Sequence, residues 1–178
     1  MAARLLTASS PEAKTLARAG VNLQSVLRGN YARFANGQEI ADRTYCVESA
    51  PFITHELNKQ LGIGRTSLRA LAELHLEDTT DEDPLYHAYT LVNQLGAGPN
   101  TDIVVDATYR QFIPKRLRDN YPLVFIGSRA AAADMIQHVA QNPTTHTLYQ
   151  PETIYGTDRH ELTQEFAIPV RLQDMQVA

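Results

Sequence analysis

Residues 85–95 are LYHAYTLVNQL, and residues 102–112 are DIVVDATYRQF. Both stretches are rich in β-branched and aromatic residues, which favours strands, and the GAGPN sequence of residues 96–100 between them is a dense turn signal. Residues 67–77 alternate in a way that fits a strand or a helix, and the acidic turn that follows them favours a strand. The sequence therefore predicts three antiparallel strands at 67–77, 85–95 and 102–112.

The segment before these strands carries an apolar stripe with helical spacing. Its members recur at steps of three or four residues: Cys46, Ala50, Ile53, Leu57 and Leu61. Pro51 lacks a backbone donor, which leaves two interpretations open. The helix begins at Cys46, or Ser49 caps a later start and Cys46 lies in the preceding turn.

Other helices and strands are expected on both sides of this region. Ser10 and Pro11 predict a helix start, and a looser second helix should end near residues 36–37. Residues 123–126 predict a buried strand, residues 127–128 a turn with a cap, residues 129–140 a helix and residues 165–172 an edge strand.

These elements predict an α+β fold in which two amino-terminal helices and the Cys46 helix pack against an antiparallel sheet. We expect a single domain over residues 1–178. It divides into a helical lead-in at 1–40, a core at 41–140 and a carboxy-terminal extension at 141–178.

Composition narrows the possible classes of function. The 178 residues are 43% hydrophobic and 20% charged, as expected for a self-folding chain, and the net charge of −4 argues against nucleic acid or an anionic membrane as partner. The only basic cluster is Lys115, Arg116 and Arg118. No apolar run approaches the ~20 residues of a membrane span, and the first residues lack a Sec signal pattern. We therefore expect a cytoplasmic protein, or one exported without such a signal.

No motif for a cofactor or metal is present in the sequence. The six histidines form no HxH or HExxH pattern, the acidic run at 78–83 lacks the spacing of an EF-hand, and residues 62–65 lack the third glycine of a dinucleotide loop. The single cysteine excludes an internal disulfide. We expect neither a cofactor nor a metal.

Three residues in the order Cys46, His87, Asp106 can carry nucleophilic chemistry. A thiol becomes a strong nucleophile when a helix amino terminus and a histidine favour its deprotonation. An acceptor on the other ring nitrogen orients the imidazole. Aspartate is depleted in strands, so Asp106 beside valines requires a partner. We predict that these residues form a catalytic triad.

The triad requires a particular register of the hairpin. A turn centred on residues 98–99 would set Asp106 opposite Leu91, roughly 13 Å along the strand from His87 at ~3.3 Å per residue. A turn centred on residues 96–97 would set Asp106 directly opposite His87. We predict the second register, because glycines at 96 and 98 permit a tight reversal.

Three pieces of the sequence form a pattern: Tyr45-Cys46 at a helix start, residues 87–92 (HAYTLV) and residues 105–108 (VDAT). They resemble the papain-like superfamily, in particular its transglutaminase-like branch and the glutamine-deamidase toxins of bacteria. Tyr89 stands where that family usually has tryptophan, and Ala107 where it often has proline. The resemblance covers about the middle third of the chain by the strand assignment.

The resemblance implies cysteine-dependent acyl transfer through a thioester, with deamidation or transamidation of a glutamine carboxamide in a protein as the leading function. The backbone N–H of Cys46 would stabilise the oxyanion, and Gln38 or Gln111 would supply a second donor. One alternative is an acyltransferase or amide synthase that acts on a carrier-bound thioester in natural-product assembly. Another is a non-catalytic interaction module with the same fold.

Overall fold

The computed structural model describes residues 10–34, 46–62, 65–74, 85–93, 102–140 and 149. This part of the chain forms an α+β fold, as the sequence predicts. Its helices and strands are α1 (Pro11–Arg18), α2 (Leu23–Phe34), α3 (Cys46–Leu61), β1 (Thr66–Leu74), β2 (Leu85–Val92), β3 (Ile103–Asp106), β4 (Phe125–Ser128) and α4 (Arg129–Val139). No helix in these ranges is long and apolar enough to cross a membrane.

The first helix matches the sequence-based prediction, and the second is present as α2, although its predicted end near residues 36–37 lies outside the described residues. The Ser10 hydroxyl accepts the Ala13 N–H at 3.1 Å and caps α1, and Pro11 lies in the first turn, where its missing donor costs little. The chain leaves α1 through Gly20, whose φ of +88° is readily adopted only by glycine. The buried side chains of α1 and α2 pack into one core cluster with α3.

Helix α3 begins at Cys46, so the interpretation in which Ser49 caps a later start does not hold. Ser49 lies inside the helix, and its hydroxyl donates to Asn30 Oδ1 on α2 at 3.0 Å. Pro51 is also inside the helix, where it removes one hydrogen bond near the amino-terminal end. Packing of the apolar stripe outweighs this loss, since Ile53 and Leu57 are fully buried.

The strands form one sheet in the order β1-β2-β3-β4, with neighbouring strands antiparallel. The three predicted strands are present, and β4 extends the sheet beyond them. The predicted turn at 96–97 and the predicted strand at 165–172 lie outside the described residues.

The bounds of β3 and β4 differ most from the prediction. Strand β3 ends at Asp106 instead of continuing to residue 112, because the chain turns into a 3₁₀ helix at Tyr109–Phe112. Strand β4 covers Phe125–Ser128 instead of 123–126, so the predicted turn at 127–128 is part of the strand. The Ser128 hydroxyl nevertheless caps the following helix by accepting the N–H of Ala131, as predicted.

Alternate residues of the central strands face opposite sides of the sheet. Val92 and Val105 belong to the cluster formed with α1, α2 and α3. Leu91 and Val104 belong to a second cluster, which includes side chains of α4 and Tyr149. Both strands are therefore covered on both sides, which explains their nearly continuous apolar sequence.

A buried threonine fixes the position of α3 on the sheet. The Thr90 hydroxyl on β2 donates to the Ala50 carbonyl at 3.1 Å and lies 2.9 Å from the Thr54 hydroxyl. Since the single Thr90 proton goes to the carbonyl, Thr54 donates to Thr90. Ala50 is one helical turn after Cys46, so this anchor sets how the start of α3 meets β2.

Candidate active site

His87 on β2 and Asp106 at the end of β3 form a hydrogen-bonded pair. His87 Nε2 lies 2.6 Å from Asp106 Oδ2, and each residue is 1% exposed. Both side chains project from the face of the sheet that carries Leu91 and Val104, since they lie at alternate positions from these residues. The predicted contact between imidazole and carboxylate is therefore present.

The register that produces this contact is not the predicted one. Thr90 pairs with Val105 and Leu91 pairs with Val104, and continuing that pairing sets Asp106 beside Tyr89, not beside His87. His87 is thus the diagonal neighbour of Asp106 on the same face. Diagonal positions are about 7–8 Å apart, a gap that an imidazole and a carboxylate together can span. Direct opposition is unnecessary, because two residues on one face that are one diagonal step apart are close enough to bond.

The Asp106 carboxylate accepts hydrogen bonds on both of its oxygens. Oδ2 accepts from His87 and from the Tyr149 hydroxyl, and Oδ1 accepts from the backbone N–H and the hydroxyl of Thr108 at 2.8 and 3.0 Å. The contact with Thr108 turns the chain out of β3, which is why the strand ends here. Burial alone would raise the pKa of Asp106, but the charge of His87 and these hydrogen bonds outweigh it and lower the pKa.

Tyr149 is a member of this network that the sequence did not reveal. It lies in a polar stretch with no helix or strand periodicity, so no pattern marks it. The side chain is fully buried, and its ring packs edge-on against Tyr89 with centroids 4.9 Å apart. Its backbone adopts φ +70°, an uncommon value for a residue with a side chain. Burial and the nearby Asp106 charge raise the pKa of Tyr149 well above its ordinary value, so the hydroxyl remains a donor.

Cys46 contacts the same imidazole. It is the first residue of α3, is 1% exposed, and its side chain hydrogen-bonds to His87. Burial lowers the pKa of His87. The charge of Asp106, its hydrogen bond and the contacts with Cys46 together raise the pKa by more than burial lowers it, and the net pKa is about 9. The site thus favours a proton on the His87 ring, and the ring is in contact with the Cys46 side chain that would supply that proton.

The two glutamines predicted as oxyanion donors have different outcomes. Gln38 lies outside the described residues. Gln111 lies in the 3₁₀ helix, not on a strand as predicted, and its amide Nε2 is 2.7 Å from His87 Nδ1. The structure therefore brings Cys46, His87, Asp106 and Gln111 to one place, with Gln111 bound to the ring nitrogen that faces away from Asp106.

Comparison with protein-family models, with curated proteins and with solved structures found no match to this chain. Its candidate chemistry consequently depends on the residues themselves. Across the ranges that the structure describes, no group of three or more His, Cys, Asp or Glu side chains is arranged to hold a metal ion.

We expect Tyr149→Phe to destabilise the protein by about 1–3 kcal/mol, the usual cost of losing a hydrogen bond to a buried charged group. The variant removes one donor from Asp106, so the pKa of Asp106 should rise. Urea denaturation measures the first effect, and the midpoint of acid unfolding, which should move to higher pH, measures the second. Tyr121→Phe, at a partly exposed tyrosine, is the matched control. Equal stability of the two variants would contradict the assigned contact.

Stability should decrease with rising pH because of His87. Its pKa is about 9 in the folded protein and 6.5 as a free side chain, so the folded state binds the proton more tightly. The resulting stabilisation is complete below pH 6.5 and disappears as pH rises through about 9. It amounts to about 3 kcal/mol at 1.36 kcal/mol per pH unit.

The measurement is the free energy of unfolding at a series of pH values across this window. His87→Gln should remove most of the decrease, whereas His138→Gln, at an exposed position of α4, should retain it. An unchanged pH dependence in His87→Gln would refute the raised pKa.

Proposed function

We propose that this chain is a cysteine-dependent acyl-transfer enzyme with a papain-like, transglutaminase-like core. Its catalytic triad would be Cys46, His87 and Asp106. The observation that carries the proposal is the single buried imidazole that contacts both a thiol and a carboxylate. The cysteine lies at the amino-terminal end of a helix, as catalytic cysteines often do.

In the proposed reaction, the Cys46 thiol passes its proton to His87 and the sulfur attacks an acyl carbon. Asp106 occupies Nε2, so the proton is taken up at Nδ1, the other ring nitrogen. His87 then protonates the leaving group and a thioester forms on Cys46. Water or an amine attacks that thioester, with His87 as the base. Asp106 holds the ring orientation and stabilises the imidazolium.

The oxyanion formed during the attack needs donors. The backbone N–H of Cys46 is one, because negative charge near the first turn of α3 is favoured by the helix dipole. Gln38 and Gln111 are the predicted second donors. When the amide nitrogen of Gln111 is bound to His87 Nδ1, it is engaged elsewhere, which favours Gln38 for this role.

The substrate proposed is a glutamine carboxamide in a protein, which the triad would deamidate or join to an amine. The alternative substrate, a carrier-bound thioester, would need a docking surface for an acidic carrier protein, and the candidate surface is the basic cluster of Lys115, Arg116 and Arg118. Arg118 is 9% exposed and its Nε donates to the Ile113 carbonyl, so only Lys115 and Arg116 are on the surface. This smaller cluster supports the carrier hypothesis less well.

Alkylation of Cys46 by iodoacetamide at neutral pH tests the triad. We expect the folded wild type to react at least roughly tenfold faster than His87→Gln, because the variant lacks the base that takes up the thiol proton. His138→Gln should react like the wild type. The urea-unfolded chain provides the rate of an ordinary thiol. Equal rates for wild type and His87→Gln would contradict the proposed triad and favour a non-catalytic module.

The products distinguish the possible reactions. Incubation with a glutamine-containing protein such as casein and a primary amine should yield glutamate or a γ-glutamyl amide, and mass spectrometry identifies each. We expect Cys46→Ser and Asp106→Asn to lose this activity, the second by roughly 10⁴-fold, the effect of neutralising a carboxylate that orients a catalytic imidazole. Transfer of an acyl group from a small thioester, with no change to glutamine, would contradict the carboxamide assignment.

A further inference from the structure

One carboxamide of the chain itself already lies at the catalytic imidazole. Gln111 Nε2 is 2.7 Å from His87 Nδ1, and Cys46 contacts the same ring. Nε2 of the ring is bonded to Asp106, so Nδ1 is the atom that must exchange protons with the sulfur and with a leaving group. The amide nitrogen of Gln111 therefore occupies the position that the nitrogen of a glutamine substrate would take.

Gln111 is held in this position by a closed set of contacts. Asp106 Oδ1 binds the N–H and hydroxyl of Thr108, the Thr108 carbonyl accepts the N–H of Gln111 at 3.0 Å, and the Gln111 side chain returns to His87. Phe112, the next residue, packs edge-on against the His87 ring with centroids 4.8 Å apart. The carboxylate that orients the imidazole thus also orients the backbone that delivers the carboxamide.

The exposed fractions of these four residues agree with Gln111 lying between the ring and solvent. Cys46, His87 and Asp106 are each 1% exposed, whereas Gln111 is only partly buried. Gln111 is therefore the one of the four that reaches solvent, and its side chain covers the ring on the Nδ1 side. An external carboxamide would have to displace it.

We infer that Gln111 is an intramolecular substrate of Cys46, which converts its carboxamide to a carboxylate. This inference rests on the proposed function. The Gln111 side chain belongs to the same chemical class as the proposed external substrate, a primary carboxamide, and the co-reactant is water. The modified residue is a glutamate at position 111, placed beside the imidazole.

The steps balance as follows. The Cys46 proton moves to His87 Nδ1, the sulfur bonds to Cδ of Gln111, and the Cδ–Nε2 bond breaks. Nε2 takes the proton from Nδ1 and leaves as ammonia, so a thioester joins Cys46 to residue 111. Water, deprotonated by His87, adds to Cδ; the sulfur leaves and takes the proton back. The net change is hydrolysis of one amide with no oxidation or reduction.

The test is mass spectrometry of the full chain purified from the same host as wild type, Cys46→Ala and Gln111→Ala. An endoproteinase that cuts before aspartate releases residues 106–118 with Gln111 inside the peptide. This avoids trypsin, which would leave Gln111 at a new amino terminus, where it cyclises spontaneously. A second wild-type sample is kept with methylamine during expression and purification.

We expect a glutamate at position 111 in the wild type, a γ-glutamyl methylamide at that position in the methylamine sample, and intact Gln111 in Cys46→Ala. Gln137, exposed on α4, should remain glutamine in every sample. Wild type diluted into urea directly after synthesis in a cell-free system should also retain Gln111. Because this second measurement uses only the wild type, it does not depend on whether a variant folds.

Intact Gln111 in the wild type would overturn the inference, as would the same conversion in Cys46→Ala or in the unfolded chain. Iodoacetamide separates this failure from failure of the proposed function. If Cys46 reacts faster in wild type than in His87→Gln while Gln111 is intact, only the inference is lost. If Cys46 reacts at the same rate in wild type and in His87→Gln, both the proposed function and the inference are lost.

Discussion

The hydrogen bond between His87 and Asp106 organises the site. Both side chains are buried on the two central strands of the sheet, where an ionised pair is costly unless its remaining hydrogen-bonding groups are satisfied. Tyr149 and Thr108 supply these donors, so the carboxylate is stable as an anion without solvent. This fixed negative charge raises the pKa of His87 and orients the ring that also contacts the Cys46 side chain.

The same carboxylate decides local backbone structure. By binding the N–H and hydroxyl of Thr108, Asp106 ends β3 and begins the turn into the 3₁₀ helix. That turn carries Gln111 to the far side of the His87 ring. Electrostatics and chain geometry therefore cooperate: the group that sets the protonation state of the imidazole also sets which side chain meets its second nitrogen. A neutral residue at 106 would lose both properties.

Much of the framework was predictable because it depends on local pattern. The apolar stripe that starts at Cys46 predicted α3, and the strand candidates around His87 and before Asp106 are present in the sheet. Strand alternation placed the imidazole and carboxylate on one face, but the predicted register was wrong, and the contact depends on the diagonal pairing. The predicted strand through Gln111 failed because Asp106 competes for the backbone with its side chain, which periodicity does not reveal.

The sequence by itself determined the α+β class, the order of thiol, imidazole and carboxylate, and the face of the sheet on which the last two lie. These follow from periodicities of two and 3.6 residues, which are properties of short segments. Only the tertiary structure decided the diagonal pairing of His87 with Asp106, the arrival of Tyr149, and the contact of Gln111 with the ring. Each joins residues distant in sequence through packing and hydrogen bonds, and no local propensity encodes such contacts.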